Sequence, residues 1–331
     1  MFGDGIMVFA HSGLHLSQSI HTQCIKQSTQ SSPNPSPSPK NIHKLIISSM
    51  NSISVPASPK KHRKYVMITD FGDAGGHNNK GISLVRNTKT GEKLIRKRVL
   101  AQKSKDELTV CQRLNGFEYI VQLRDHILPS KSQADPSSGE STALRELYFE
   151  HCDLGSLNDL LKRHEIAQQR IPESFVWHVL VSIGRALQAC HAGPAPKGRK
   201  WIPIAHRDVM AGNILFSSSS PGFDMSTPPR VLLSDFGASI EYQSPDPIMQ
   251  RKDISDLAET IYGMCYCAWD VETAQLGYSA ELQGVLAVMD VYWEDTPEHA
   301  AEFNSGFVSW VEEERNQATL AEFGGQLVWS S

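Results

Sequence analysis

Long hydrophobic runs are missing from this 331-residue chain: none approaches the ~18–20 residues needed to cross a bilayer, so no membrane association through a span is expected. The run Gly5–Ala10 is short and follows Asp4 rather than basic residues, which is not how a signal peptide opens. A disulfide rhythm is missing too. Six cysteines, at 24, 111, 152, 190, 265 and 267, are scattered unevenly, a usage that fits reduced thiols in a cytoplasmic or nuclear protein. Cys265 and Cys267 are one residue too close for the usual zinc pair and share a helical apolar stretch with Ile261, Met264 and Ala268, so core packing is their expected role. Acids are nearly absent from the first 64 residues, where seven Lys/Arg face Asp4 alone, whereas the rest is acidic and brings the net charge to −4. The folded part is therefore not expected to offer a nucleic-acid surface. That first stretch has a single arginine, Arg63, and no sustained amphipathic helix, which argues against a mitochondrial presequence.

What is present begins with 40% apolar residues, enough for one bilobed core or two ordinary domains. Residues 1–64 are rich in Ser, Pro, Asn and Gln, with the run Ser31-Ser-Pro-Asn-Pro-Ser-Pro-Ser-Pro39. They cannot bury enough apolar surface to offset their ordering entropy and are expected to form a disordered basic tail. Ser38-Pro39-Lys40 and Ser58-Pro59-Lys60 fit proline-directed phosphorylation as well as they fit plain linker, and Met50 offers an alternative start.

At Tyr65 the pattern changes. Tyr65–Thr69, Gly81–Arg86 and Lys93–Leu100 read as a three-stranded meander, followed by a helix from about Ser104 to Leu114 and strands at Ile120–His126 and Leu144–Glu150. Beyond Gly155 the chain reads as mostly helical, with strong periodicity from Phe175 to His191. The expectation is an α+β fold of two lobes: a small β-rich lobe over about 65–151 and a larger helical lobe over about 152–325, with a cleft between them.

The most informative stretch is Ile204-Ala-His-Arg-Asp-Val-Met-Ala-Gly-Asn-Ile-Leu-Phe216, followed by Val231-Leu-Leu-Ser-Asp-Phe-Gly237. Two acids and an amide on short loops beside apolar strands are the means of holding a hard divalent cation and triphosphate oxygens. These motifs resemble those of the eukaryotic protein kinase family. His206-Arg207-Asp208 with Asn213 matches the catalytic-loop pattern, and Asp235-Phe236-Gly237, 27 residues after Asp208, matches the magnesium-binding triplet.

The resemblance implies ATP and Mg²⁺ as cofactors and phosphoryl transfer to a Ser/Thr hydroxyl of a protein substrate. It implies that Asp208 is the catalytic aspartate that orients and deprotonates the acceptor, that Asn213 and Asp235 ligate the metal, and that Lys97 meets the α/β-phosphates. Lys93, Arg96 and Arg98 compete for that last role; Lys97 is preferred because it lies at the expected distance from the Thr90-Gly91 turn and shares a strand face with Ile95 and Val99, whereas Arg96 and Arg98 would face the other way. Glu107 matches the acid that pairs with this lysine, with Asp106 and Glu118 as fallbacks. Leu147–Leu157 resembles the hinge, so that Phe149 borders adenine while the Glu150 carbonyl and the Cys152 amide bond it. Asp253, opening an apolar helix, resembles the buried aspartate that anchors the catalytic loop; plain helix capping is the alternative. His206 is assigned to packing rather than to proton transfer.

Three departures bear on activity. Phe71–Gly81 is glycine-rich without the G-x-G-x-x-G order, so Gly75 and Gly76 are the candidates for phosphate contact, in competition with a shifted loop that uses Gly81. Met210 stands where serine/threonine kinases carry a lysine. Only seventeen residues separate Asp235 from Asp253, and no Ala-Pro-Glu motif lies among them; Arg207 could meet a phosphate there on Ser239, Tyr242 or Ser244. A pseudokinase scaffold and a small-molecule kinase are the rival readings.

Overall fold

The computed structural model describes residues 64–72, 79–100, 105–128, 144–193, 201–218, 228–242, 247–266, 277–291, 297–318 and 327–329. Strand β1 (Tyr65–Asp70) pairs antiparallel with β2 (Asn79–Asn87), and β2 with β3 (Lys93–Leu100). The β2–β3 turn is written in its residues. Asn87 Oδ1 accepts from the Lys89 and Thr90 amides, and Gly91 takes φ +76°, a conformation that glycine adopts without steric cost. Alternation along β3 puts Leu94 against Val85 and Tyr148 on one face, whereas Lys97 and Val99 are buried on the other.

Helix α1 (Lys105–Leu114) follows, with Leu108, Cys111 and Leu114 turned into the main core. Ten residues are too few for a stable isolated helix, so packing holds α1 in place. Strands β4 (Leu123–Ile127) and β5 (Leu144–Glu150) complete a five-stranded antiparallel sheet in the order β1-β2-β3-β5-β4. The strand expected from Ile120 starts three residues later. Ile120 instead forms a parallel bridge with Leu233, tying the end of the α1–β4 connection to the helical half.

Past β5 the chain turns helical as expected. After β6 (Gly155–Ser156), helix α2 (Leu157–Ala167) opens on a capping box: Ser156 Oγ accepts from the Asp159 amide, and the Asp159 carboxylate accepts from the Ser156 amide. Helix α3 (Glu173–Ala192) is buried along most of its length, with Trp177 fully enclosed and its Nε1 donating to Glu173 at 3.0 Å. Strands β7 (Ile204–Ala205), β8 (Ile214–Ser217), β9 (Arg230–Leu233) and β10 (Ile240–Glu241) make two small sheets, β6-β8-β9 and β10-β7. Helices α4 (Pro247–Tyr266), α5 (Ala280–Val291) and α6 (Pro297–Gln317) complete the helical half.

Gly184 on α3 lets α6 approach: a Cβ there would meet Phe307 at 3.2 Å. Trp329 stands edge-on to Phe175 and Phe216, adding residues near the C-terminus to the core. Cys265 is buried as expected; Cys267 lies outside the described residues. Among the described residues, no helix is long and apolar enough to cross a membrane.

Candidate functional site

The strand periodicity that buries Lys97 delivers its Nζ to two carboxylates, Glu107 at 2.7 Å and Asp235 at 2.8 Å. Glu107 comes from the first turn of α1 and is 5% exposed; the fallback Asp106 is exposed, and Glu118 lies in the connection after α1. Of the competing cations, Arg96 pairs with Ser83 and Glu146 instead. Burial alone pulls the Lys97 ammonium down, but the charges of Glu107 and Asp235 more than reverse this and hold it above its ordinary value. Burial likewise pushes Asp235 up, and Lys97 with the Gly237 amide brings it below the usual carboxylate range. For Glu107 burial outweighs Lys97, and its carboxyl is raised. Lys97 is thus held as a cation between an ionised Asp235 and a carboxyl of unusual proton affinity. Asp235 takes φ +59°, a strained position, and its Oδ1 accepts from the Gly237 amide at 3.2 Å.

Below this trio, the loop between β7 and β8 is held by a buried aspartate. Asp253 Oδ2 accepts from the His206 amide at 2.9 Å and Oδ1 from the Arg207 amide at 2.7 Å, which fixes Arg207 at φ +68°. His191 Nε2 lies 2.9 Å from Asp253 Oδ2. Burial pushes Asp253 up, but His191 and these amides bring it below the usual carboxylate range. Asp253 does not open its helix: α4 starts at Pro247, so Asp253 sits one and a half turns in and is no cap. The sequence reading missed this because Pro247–Lys252 carries little apolar periodicity.

His206 accepts the Asp208 amide on Nδ1 at 3.2 Å, which leaves Nε2–H to donate to Ser234 O at 2.9 Å. Its ring packs edge-on to Phe236 at 4.7 Å, matching the packing role expected of it. Asn213 Nδ2 donates to Asp208 O at 2.8 Å and to Asp208 Oδ2 at 2.9 Å. That commits the amide nitrogen and leaves Oδ1 as the available donor atom to a cation. Ser234 ties the loop to β9, its amide and hydroxyl both donating to Asn213 O.

Glu150 and Cys152 follow at the end of β5. The Glu150 carboxylate accepts from the Gln122 amide at 2.9 Å and lies near Arg124 and Arg230, while Cys152 is buried with Val121 and Leu232. Among the described residues the Cys152 amide takes no backbone acceptor. Gly75 and Gly76 lie outside the described residues. A cavity of about 400 Å³ bounded by Tyr119, Arg185 and Glu312 includes the fallback Glu118 but none of Lys97, Glu107, Asp208, Asn213 and Asp235. The sequence reading missed His191 and Arg113: the first was absorbed into helical periodicity, and the second carried no signal of its own.

A family model described as a protein kinase domain matches residues 74–262, more than half of the chain and a span that holds every candidate site residue. The chain belongs to the protein kinase family. It is similar to G2-specific protein kinase nimA of Emericella nidulans, 32% identical over 118 residues, which are 30% of this chain and 16% of that protein. It is also similar to the probable serine/threonine-protein kinase nek2 of Dictyostelium discoideum, 27% identical over 166 residues, 47% of this chain and 33% of that one. A third relative, TGF-beta receptor type-2 of Gallus gallus, is 24% identical over 132 residues, 35% of this chain and 23% of the receptor. The kinase chain thus spans a third or less of the length of these curated relatives.

Proposed function

We propose that residues 65–325 form a protein kinase domain that transfers the terminal phosphoryl group of MgATP to a Ser/Thr hydroxyl of a protein substrate inside the cell. The observation that carries this reading is Lys97 Nζ bridging Glu107 and Asp235, a cation ordered by one carboxylate and set beside another. The bound nucleotide and its metal supply the phosphoryl group and the divalent charge. Lys97 neutralises phosphate oxygens, with Glu107 fixing its position. Asp235 and Asn213 would supply oxygen donors to Mg²⁺. Among the described residues no three His, Cys, Asp or Glu side chains converge on a metal position, which suits an ion held by one or two side chains, water and phosphate. The Cys152 amide and the Glu150 carbonyl would bond the adenine edge. Asp208, ordered by Asn213, receives the acceptor proton, and positioning with electrostatics carries the rate.

A second reading, a nucleotide-binding scaffold with little turnover, is favoured by Met210. It stands half-exposed in the catalytic loop, two residues after Asp208, where it offers the transferred group no positive charge. The two readings share the nucleotide site. Thermal shift of the full chain with MgATP, beside Lys97→Ala and Asp235→Asn, tests that site, because a ligand that binds only the folded state raises the melting temperature. A magnesium-dependent shift absent from both variants is expected; no shift in the wild type at millimolar MgATP would sink both.

A further inference from the structure

Arg113, in the last turn of α1, joins the helix that carries Glu107 to the chain around the catalytic loop. Its Nη1 pairs with the Glu241 carboxylate on β10, and its Nη2 donates to Ile202 O at 2.5 Å. Its guanidinium also lies over the Trp201 ring, 4.4 Å from the centroid. These partners are themselves fixed. Trp201 Nε1 donates to Cys190 O at 2.9 Å, its ring packs near Phe117, and Glu241 is held by the pairing of β10 with β7, which leads into His206. The Arg113 and Glu241 side chains are 23% and 33% exposed, so solvent screens the pair only in part. A planar guanidinium serves carboxylate, carbonyl and aromatic face together, which a lysine cannot do.

Glu107 lies six residues before Arg113 on α1, so whatever rotates or lifts the C-terminal end of this short helix displaces the Lys97 partner. We infer that Arg113 is a positioning residue, and that its latch to Glu241, Ile202 and Trp201 sets α1 so that Glu107 orders Lys97 for nucleotide. The helix is thereby held through a negative charge the segment after Asp235 carries in its own sequence. This inference rests on the kinase reading for what Lys97 does, but not for how α1 is held.

The test compares Arg113→Glu, Glu241→Arg, the milder Glu241→Gln and the double charge swap R113E/E241R in the full chain. Two readouts are taken: hydrogen exchange of the Leu108–Leu114 amides and the MgATP dissociation constant. Both charge reversals are expected to speed α1 exchange and to weaken MgATP by about fivefold, Glu241→Gln to do both by less, and the swap, which rebuilds the ion pair but not the Ile202 and Trp201 contacts, to recover part of both losses. Wild-type exchange in the singles, or a swap as impaired as the two singles combined, overturns the latch. If the wild type binds no MgATP, the phosphotransfer reading fails, and the exchange arm decides the latch by the same criteria.

Discussion

Replacing Asp253 by Asn changes one oxygen to an NH₂ group and almost nothing in volume, so its effect isolates the anchor of the catalytic loop. The carboxylate accepts from three donors: His206 N and His191 at Oδ2, and Arg207 N at Oδ1. An asparagine keeps one acceptor oxygen, and its NH₂ must then oppose a buried N–H. One charge-assisted bond is lost, at about 1.5–3 kcal/mol, and one donor is left unsatisfied, at about 1–3 kcal/mol, so a loss of about 3–5 kcal/mol is expected. At about 2–4 °C per kcal/mol for a domain of this size, the melting temperature falls by about 10 °C. Urea denaturation of the full chain measures the loss, with Asp256→Asn as control, because Asp256 is three residues on in the same helix and its partly buried carboxylate pairs with Lys252 rather than with the catalytic loop. The variant also frees Arg207 from its left-handed conformation, so MgATP-dependent turnover should fall with stability. A loss under about 1 kcal/mol, or one equal to that of Asp256→Asn, refutes the assignment of Asp253 as the anchor.

Lys97→Ala leaves Glu107 buried beside Asp235 without its cation, and should cost about 3–5 kcal/mol in guanidinium denaturation; K97M/E107L should recover more than half of that, and failure to do so contradicts a pair-specific cost. Asp235 and Asp253 both titrate below their ordinary value of 3.8 in the folded chain, so their stabilisation is present above that value and lost as pH falls through the lowered range. Glu107, raised by burial, acts in the opposite sense, so the test is a difference: the acid-side loss of denaturation midpoint should be smaller in Asp253→Asn than in the wild type. Gly237→Ala would put a Cβ 3.0 Å from Asp235 Oδ1 and 3.4 Å from Lys97 Nζ, and calorimetry should show MgATP affinity down about tenfold with the melting temperature nearly unchanged.

Much of the two-lobed architecture was legible in the sequence because period-2 strands give way to period-3.6 helices near Gly155, and no long-range fact is needed to see that change. Lys97 could be singled out among four cations because strand alternation turns Arg96 and Arg98 to the other face, and distance from the Thr90-Gly91 turn favours it over Lys93. Other features needed three dimensions. The start of α4 was hidden because Pro247 sets a first turn without apolar rhythm, which made Asp253 look like a cap. Ile120 was read as a strand residue on apolar composition, although its partner is Leu233, more than a hundred positions away. His191 and Arg113 carried no signal, since a histidine in an apolar helix and an arginine on a polar face have ordinary local explanations. Their roles arise from partners, Asp253 and Glu241, that only the fold brings near.

Whether the site moves phosphate is tested most directly by incubating the full chain and its Asp208→Asn variant with γ-labelled MgATP and a mixed protein substrate. The account predicts label on Ser/Thr side chains from the wild type, with transfer at least about 100-fold lower in Asp208→Asn at unchanged MgATP affinity. Equal labelling by the two proteins, or none from a wild type that binds MgATP, would contradict it.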